Sequence, residues 1–172
     1  MKRIFLIGYM GVGKTTIGKE VAKQLNLSFI DIDHYIEARY HKSIRMLFEE
    51  KGEAKFREIE NRVLHEVALF EDVVISTGGG TPCFFDNIEF MNRVGKTIYL
   101  MASPAALFTK LEKFIYSRPV LYGLSGEALL NFISDSLNMR QSFYMKAHIV
   151  FDVEGMNTKH DVQSLVDMLK LN

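Results

Sequence analysis

The chain has 172 residues, 48% of them hydrophobic, enough to close one sizeable core and too few for a second full domain. Lysine plus arginine and aspartate plus glutamate number 21 each, so no global field draws the chain to nucleic acid or an anionic membrane, and any anion must be held by local geometry. No stretch approaches a membrane span, and the single cysteine, Cys83, excludes an internal disulfide or a thiolate zinc site and reads as a small buried or half-buried hydrophobe.

In chain order, Arg3 to Ile7 is a short apolar run that predicts a buried parallel strand. It is too short for a signal-peptide core, and a cytoplasmic location is expected. It runs straight into Gly8-Tyr9-Met10-Gly11-Val12-Gly13-Lys14-Thr15-Thr16, which fits G-x-x-x-x-G-K-[ST], the phosphate-binding P-loop. Gly8, Gly11 and Gly13 let successive N–H groups point inward, and a helix opening at Lys14 adds the positive end of its dipole. Lys14 brings a mobile charge to the β- and γ-phosphates, the Thr15 hydroxyl suits Mg²⁺, and Thr16 serves contacts near the α-phosphate. Gly11, Val12 and Gly13 complete the cradle. Ile17, Val21 and Leu25 recur every fourth residue, as the following helix requires.

Ser28 to Asp31 predicts a second strand, ending in Asp31-Ile32-Asp33. Alternation along an extended backbone sends Asp31 and Asp33 to one side, at the strand end where open α/β sheets place ligands. The bland alternative makes Asp33 the N-cap of a helix over His34 to Tyr40. Ser43 starts a helical stretch that Gly52 stops, and a longer one runs from Glu53 to Phe70 with Phe56, Ile59, Val63, Leu64 and Val67 in a stripe. Arg57 and Glu60, three apart on a neighbouring face, are equally consistent with a solvated helix salt bridge and with a site.

Asp72 to Thr77 predicts a third strand, running into Gly78-Gly79-Gly80, where backbone is expected to approach a ligand. A helix over Asp86 to Arg93, a strand over Lys96 to Leu100, and a helix capped by Ser103-Pro104 and running to about Lys113 come next. From Phe114 to Gly126 periodicity lapses around Arg118-Pro119, which predicts a lid, with simple packing of a rigid loop as its alternative. A helix over Glu127 to Met145 carries Arg140 near its end, a strand covers His148 to Asp152, and Asn157 or Thr158 caps a last helix with Val162, Leu165, Val166 and Leu169 inward. Five strands alternating with helices predict a three-layer α/β/α sandwich around a parallel sheet. The guanine reader N-K-x-D of GTPase switches is absent, and Asp152-Val153-Glu154-Gly155 matches the switch pattern D-x-x-G only after the last strand.

Six features in this order span nearly the whole chain: the P-loop, Asp31-x-Asp33, Phe56-Arg57-x-x-Glu60, Gly78-Gly79-Gly80, Arg118-Pro119 and Arg140-x-x-x-Tyr144. Together they resemble the shikimate kinase family, small relatives of the nucleoside monophosphate kinases. The resemblance implies a P-loop NTPase fold with a five-stranded sheet of order 2-3-1-4-5 in one domain over residues 1–172, a substrate-binding segment at about 33–61 and a lid at about 114–126. It implies phosphorylation of the 3-hydroxyl of shikimate by ATP with Mg²⁺, a step toward chorismate and the aromatic amino acids, and a role for Asp31 at the metal through water. Arginine forks match a carboxylate, so Arg57 and Arg140 suit the acid, with Glu60 orienting Arg57. An ionised Asp33 can only accept and so suits a hydroxyl, with Gly78, Gly79 and Gly80 alongside. Lys14, Asp33 and Arg118 are the expected catalytic residues, Arg118 also meeting nucleotide.

Three departures stand out: Leu111, with Lys110 beside it, occupies a place where the family's lid often has another arginine, the lid is unusually aromatic with Phe114, Tyr116 and Tyr122, and Asp152 to Asn157 carries no basic residue. The expected partners are shikimate and ATP, without nucleic acid or membrane, and the expected state is a monomer. The rival functions are a kinase for another small polyol acid such as gluconate, which should lack the Arg57 and Arg140 pair, and a non-catalytic nucleotide switch.

Overall fold

The computed structural model describes residues 2–113, 121–156 and 159–171. Five parallel strands, β1 (Arg3–Ile7), β2 (Ser28–Asp31), β3 (Val73–Ser76), β4 (Lys96–Met101) and β5 (Ile149–Asp152), lie in the order β2-β3-β1-β4-β5. Side chains alternate faces along a strand, so the unbroken burial of Ile4 to Ile7, Val73 to Ile75 and Ile98 to Leu100 means that helices cover the sheet on both sides. Seven helices do so among the described residues: α1 (Lys14–Leu25), α2 (Ile32–Tyr40), α3 (Ile44–Val67), α4 (Asn87–Val94), α5 (Pro104–Leu111), α6 (Gly126–Tyr144) and α7 (Lys159–Leu171). Val162, Leu165, Val166 and Leu169 face inward as expected, whereas Asn157 and Thr158, the expected caps of α7, lie outside the described residues. Among the described residues no helix is long and apolar enough to cross a membrane.

The register decides where a ligand can sit. Leu6 pairs with Ser76, and Ser76 pairs in turn with Asp31, which lines up the carboxyl ends of β1, β3 and β2. The P-loop, the aspartates and the glycine triplet leave the sheet from that shared edge, the edge where open α/β sheets bind ligands.

Two local expectations change. Helix α2 begins at Ile32, two residues earlier than periodicity suggests, because Asp31 is its N-cap and accepts from the N–H groups of Asp33 at 3.1 Å and His34 at 3.4 Å. Asp33 is therefore not a cap, and strand alternation is not what aims it; it stands in the first helical turn. The stretches either side of Gly52 form one helix with a break, Gly52 taking φ 76° and ψ 167°, a conformation open to glycine and costly for other residues. The break lets Phe48 fold onto Phe56, with ring centroids 4.2 Å apart. A short 3₁₀ turn over Thr81–Cys83 comes after the glycine triplet, unforeseen from periodicity.

Candidate active site

The P-loop is built by its glycines. Gly8 takes φ 141°, and a Cβ there would stand 2.6 Å from the Leu100 carbonyl oxygen, so β4 closes against the loop only because no side chain intervenes. Helix α1 starts at Lys14, and the Lys14 ammonium donates to the carbonyls of Gly8 at 2.8 Å and Tyr9 at 2.9 Å. A mobile cation thus rests at the mouth of the cradle. Met10, Gly11, Val12, Gly13, Lys14, Thr15 and Thr16 line a cavity of about 960 Å³, together with Asp31, Asp33, Ser76, Thr77 and Gly79. Its far wall comes from Thr109, Lys110 and Leu111 of α5, from Lys113 just beyond that helix, and from Val153, Met156 and Val162. Leu111 is buried and packs on the P-loop, its Cδ2 lying 2.7 Å from where a Gly11 Cβ would be. That residue is a wall of the cavity rather than a cationic stacker.

Thr15 donates its hydroxyl hydrogen to Asp31 Oδ2 at 2.7 Å. A hydroxyl and a carboxylate side by side are hard oxygen donors of the kind Mg²⁺ takes, and this ion commonly completes its shell with water and phosphate oxygens. No cluster of three or more acidic, histidine or cysteine side chains fit for a metal occurs among the described residues, so those residues alone do not cage one. The pair fits an ion that arrives with nucleotide.

Asp33 reaches the same cavity. Burial first, then the negative charges of Glu60 and Asp31, push its carboxyl up to about 6, against the pull of Lys14. It is still largely ionised at neutral pH, and an ionised carboxylate only accepts hydrogen bonds.

Arg57 and Glu60 are not a solvated pair. Glu60 is 1% exposed; its Oε2 accepts from Arg57 Nη1 at 2.8 Å and its Oε1 from the Thr81 hydroxyl at 2.6 Å. Arg57 also donates to Glu53 through Nη2 at 3.1 Å, and its guanidinium stands 4.3 Å from the centre of the Phe84 ring and 5.5–5.6 Å from those of Phe56 and Phe48. The break at Gly52 therefore serves the site: it brings two aromatic faces to one guanidinium, which limits the ways the fork can turn.

The triplet explains itself by its surroundings. None of Gly78, Gly79 and Gly80 takes a positive φ, so conformation alone does not demand glycine. A Cβ on Gly78 would meet Glu60 Oε1 at 2.7 Å and Asp33 Oδ1 at 3.1 Å; one on Gly80 would meet both Arg57 Nη atoms at 2.8 Å. On Gly79 it would lie 3.3 Å from the Met10 nitrogen and 3.5 Å from Arg140 Nη1. The triplet is thus where P-loop, Asp33, Glu60 and both arginines converge. The Gly79 carbonyl accepts from the buried Tyr144 hydroxyl at 2.5 Å, pinning the turn from below. We expect Gly80→Ala to displace the Arg57 fork and raise the KM for an acidic substrate roughly ten- to hundred-fold, the scale of a lost charged hydrogen bond, with the KM for nucleotide little changed. Steady-state kinetics with each substrate varied separately checks this.

Cys83 is half-buried, and burial pushes its thiol up to about 11 despite Arg140 and Arg57 nearby, which fits an inert packing role. Arg118 and Phe114 to Val120 lie outside the described residues. Periodicity misses three contributors. By that measure Phe48 counts only as core, Tyr9 is an unspecified P-loop position, and Phe84 comes after Pro82-Cys83 in a stretch with no periodic signal.

This geometry, a phosphate cradle sharing one turn with a carboxylate and two arginines, meets independent likenesses. The model of the family described as Shikimate kinase matches residues 10–170. A shikimate kinase of Parabacteroides distasonis is 59% identical over 169 residues, covering 98% of both chains. The crystal structure of a shikimate kinase from Bacteroides thetaiotaomicron superposes with a TM-score of 0.92 at 51% identity, covering 98% of this chain and 96% of that one. A shikimate kinase from Acinetobacter baumannii, in complex with shikimate, superposes with a TM-score of 0.87 at 30% identity, over 100% of this chain and 94% of that one. Likeness of this degree along essentially the whole length, joined to that convergence of groups, means that the chain belongs to the shikimate kinase family.

Proposed function

We propose that this chain transfers the γ-phosphoryl group of ATP to the 3-hydroxyl of shikimate, giving shikimate 3-phosphate on the way to chorismate and the aromatic amino acids. The observation that carries the reading is the placement of Arg57 and Arg140 at the glycine triplet whose other side touches the P-loop. A ring acid whose carboxylate is held by the two guanidinium groups presents its hydroxyls toward Asp33 and the phosphate cradle. A single P-loop domain, cytoplasmic and monomeric, with a substrate-binding segment over 33–61 and a lid over 114–126, goes with this reading.

The residues divide the work. Main-chain N–H groups of Gly11 to Thr16 and the Lys14 ammonium hold the phosphates, and Lys14 follows the charge that develops between the β- and γ-phosphates. Asp33 accepts from the 3-hydroxyl, aims its oxygen at phosphorus, and takes up the proton as the new O–P bond forms and the bond to ADP breaks. Phosphoryl transfer leans on positioning more than on proton abstraction, so Asp33 is an orienting group with base character. Glu60 fixes Arg57, and Arg118 is proposed to bring charge from the lid. Thr15, and Asp31 through water, would hold Mg²⁺, which when bound with ATP supplies charge neutralisation at the phosphates.

ADP production by the purified protein, assayed with ATP against shikimate, gluconate and nucleoside monophosphates, tests the reading. Turnover is expected with shikimate; preference for gluconate or absence of any acceptor would overturn it. Arg57→Lys should raise the KM for shikimate roughly ten- to hundred-fold with little effect on ATP, since a point charge cannot replace a planar fork held by two carboxylates. Equal losses for both substrates would remove Arg57 from the acid site.

A further inference from the structure

The two arginines reach one turn but are held by different means. Arg57 is fixed by Glu53, Glu60 and the Phe84 ring. Arg140 forms no ion pair with a carboxylate among the described residues; its guanidinium meets the face of the Tyr9 ring, 5.4 Å from carbon to centroid. Tyr9 is 1% exposed, so that ring has no room to swing away. It also belongs to the P-loop, where its carbonyl accepts from the Lys14 ammonium at 2.9 Å. One residue therefore touches the phosphate-binding cation through its main chain and the second arginine through its side chain.

The phenolic hydroxyl is the odd part. It is buried beside Ser136 without a hydrogen bond of ordinary geometry, and a buried hydroxyl left so costs stability instead of adding to it. What Tyr9 contributes is the ring.

We propose that Tyr9 is a positioning residue for the acid site, its ring setting the Arg140 guanidinium beside the Gly79 turn and tying that placement to the P-loop. The inference rests on the reading of Arg140 as a ligand of the substrate carboxylate. An aromatic face attracts a cation without cancelling its charge, whereas a carboxylate partner competes with the substrate for the same N–H donors. Arg57, already engaged by two carboxylates, supplies direction; Arg140 supplies uncompensated charge. Because the ring is carried by the loop that wraps the phosphates, a shift of the P-loop main chain on nucleotide binding moves the surface on which Arg140 rests.

The test is steady-state kinetics on Tyr9→Leu, Tyr9→Phe and Arg140→Ala in the full chain, with shikimate and ATP varied separately and thermal midpoints recorded. Tyr9→Leu, which keeps apolar bulk and loses the π face, should raise the KM for shikimate roughly 2- to 30-fold, the span of a cation–π contact, and leave the KM for ATP near that of the parent. Tyr9→Phe should restore the shikimate KM without lowering the thermal midpoint, since no hydrogen bond is lost. With the carboxamide of shikimate as acceptor, the difference between Tyr9→Leu and the parent should disappear. Parallel rises in both KM values, or a phenylalanine variant as poor as the leucine one, would overturn the inference. If Arg140→Ala raises the shikimate KM and Tyr9→Leu does not, the inference alone fails; if Arg140→Ala leaves that KM unchanged, the acid-site reading beneath it fails.

Discussion

Lys14→Ala should lower kcat by about 10²–10³ or more, the cost of removing one preorganised charge-stabilising group, and leave the fold intact. Its ammonium lies on two carbonyls of its own loop, and the side chain is no part of the apolar core. Losing contacts of that kind costs about 1 kcal/mol each, whereas truncating a core leucine costs about 2–5 kcal/mol. The chemistry sits on the other side of the balance: charge moves toward the bridging oxygen as the γ-phosphoryl leaves, and no other lysine lies in the P-loop to meet it. A thermal midpoint depressed as far as by a core deletion, or a kcat near that of the parent, would contradict this account.

The second large effect is Asp33→Asn, which should reduce kcat by orders of magnitude and change ATP affinity little, because it removes the charge proposed to face the acceptor hydroxyl. The free enzyme's kcat/KM should fall below about pH 6, the region in which Asp33 takes up its proton. Stability should move the other way. A carboxyl with an ordinary value of 3.8 in the unfolded chain and about 6 in the folded one binds its proton more tightly when folded. Its contribution is fully present below about pH 4 and is lost as pH rises through about 6. Asparagine carries no such penalty, so the variant should be more thermally stable than the parent at pH 7, with the difference closing toward pH 4. Equal midpoints at both pH values would mean that Asp33 is not held in the half-buried, negatively charged setting described, and an unchanged kcat would return it to a helix residue without a catalytic part.

How much of the molecule is readable from its sequence depends on the range of the interactions involved. Strand β1, the P-loop and the start of α1 are legible because a buried strand, a glycine turn and a helix opening are each written within a few consecutive residues. The order 2-3-1-4-5 comes from family resemblance, since pairing of Ser76 with both Leu6 and Asp31 is a long-range fact. Asp31 and Asp33 stand out in the sequence, but the cap is Asp31 where the pattern offers Asp33: a cap and a strand end look alike until hydrogen bonds are drawn. Arg57 and Glu60 show the same limit more sharply. An i,i+3 ion pair on an exposed helix has the same letters as one in a buried site, and only the packing of Thr81 and Phe84 around it separates them. Tyr9 is invisible in the sequence because its neighbour, Arg140, is contributed by the distant helix α6.

The glycine triplet has a consequence for heredity. Its backbone angles would tolerate alanine, and what opposes a methyl group is the far ends of Glu60 and Arg57 at Gly78 and Gly80 and, more mildly, the main chain at Met10 at Gly79. Such constraints are pairwise, so a screen for regained thermal stability begun from Gly80→Ala or Gly78→Ala should yield second-site suppressors at Arg57 or Glu60 that make room by shortening the neighbour. Those suppressors would regain stability and not activity, because the room they make is taken from the groups proposed to hold the acid. At Gly79 the nearest neighbour is the Met10 nitrogen, 3.3 Å from where a Cβ would stand, a tight contact with backbone that no substitution shortens. Sequence drift in this window is thereby locked to drift in a helix some twenty positions earlier, and epistasis between the two is measurable without any knowledge of the substrate.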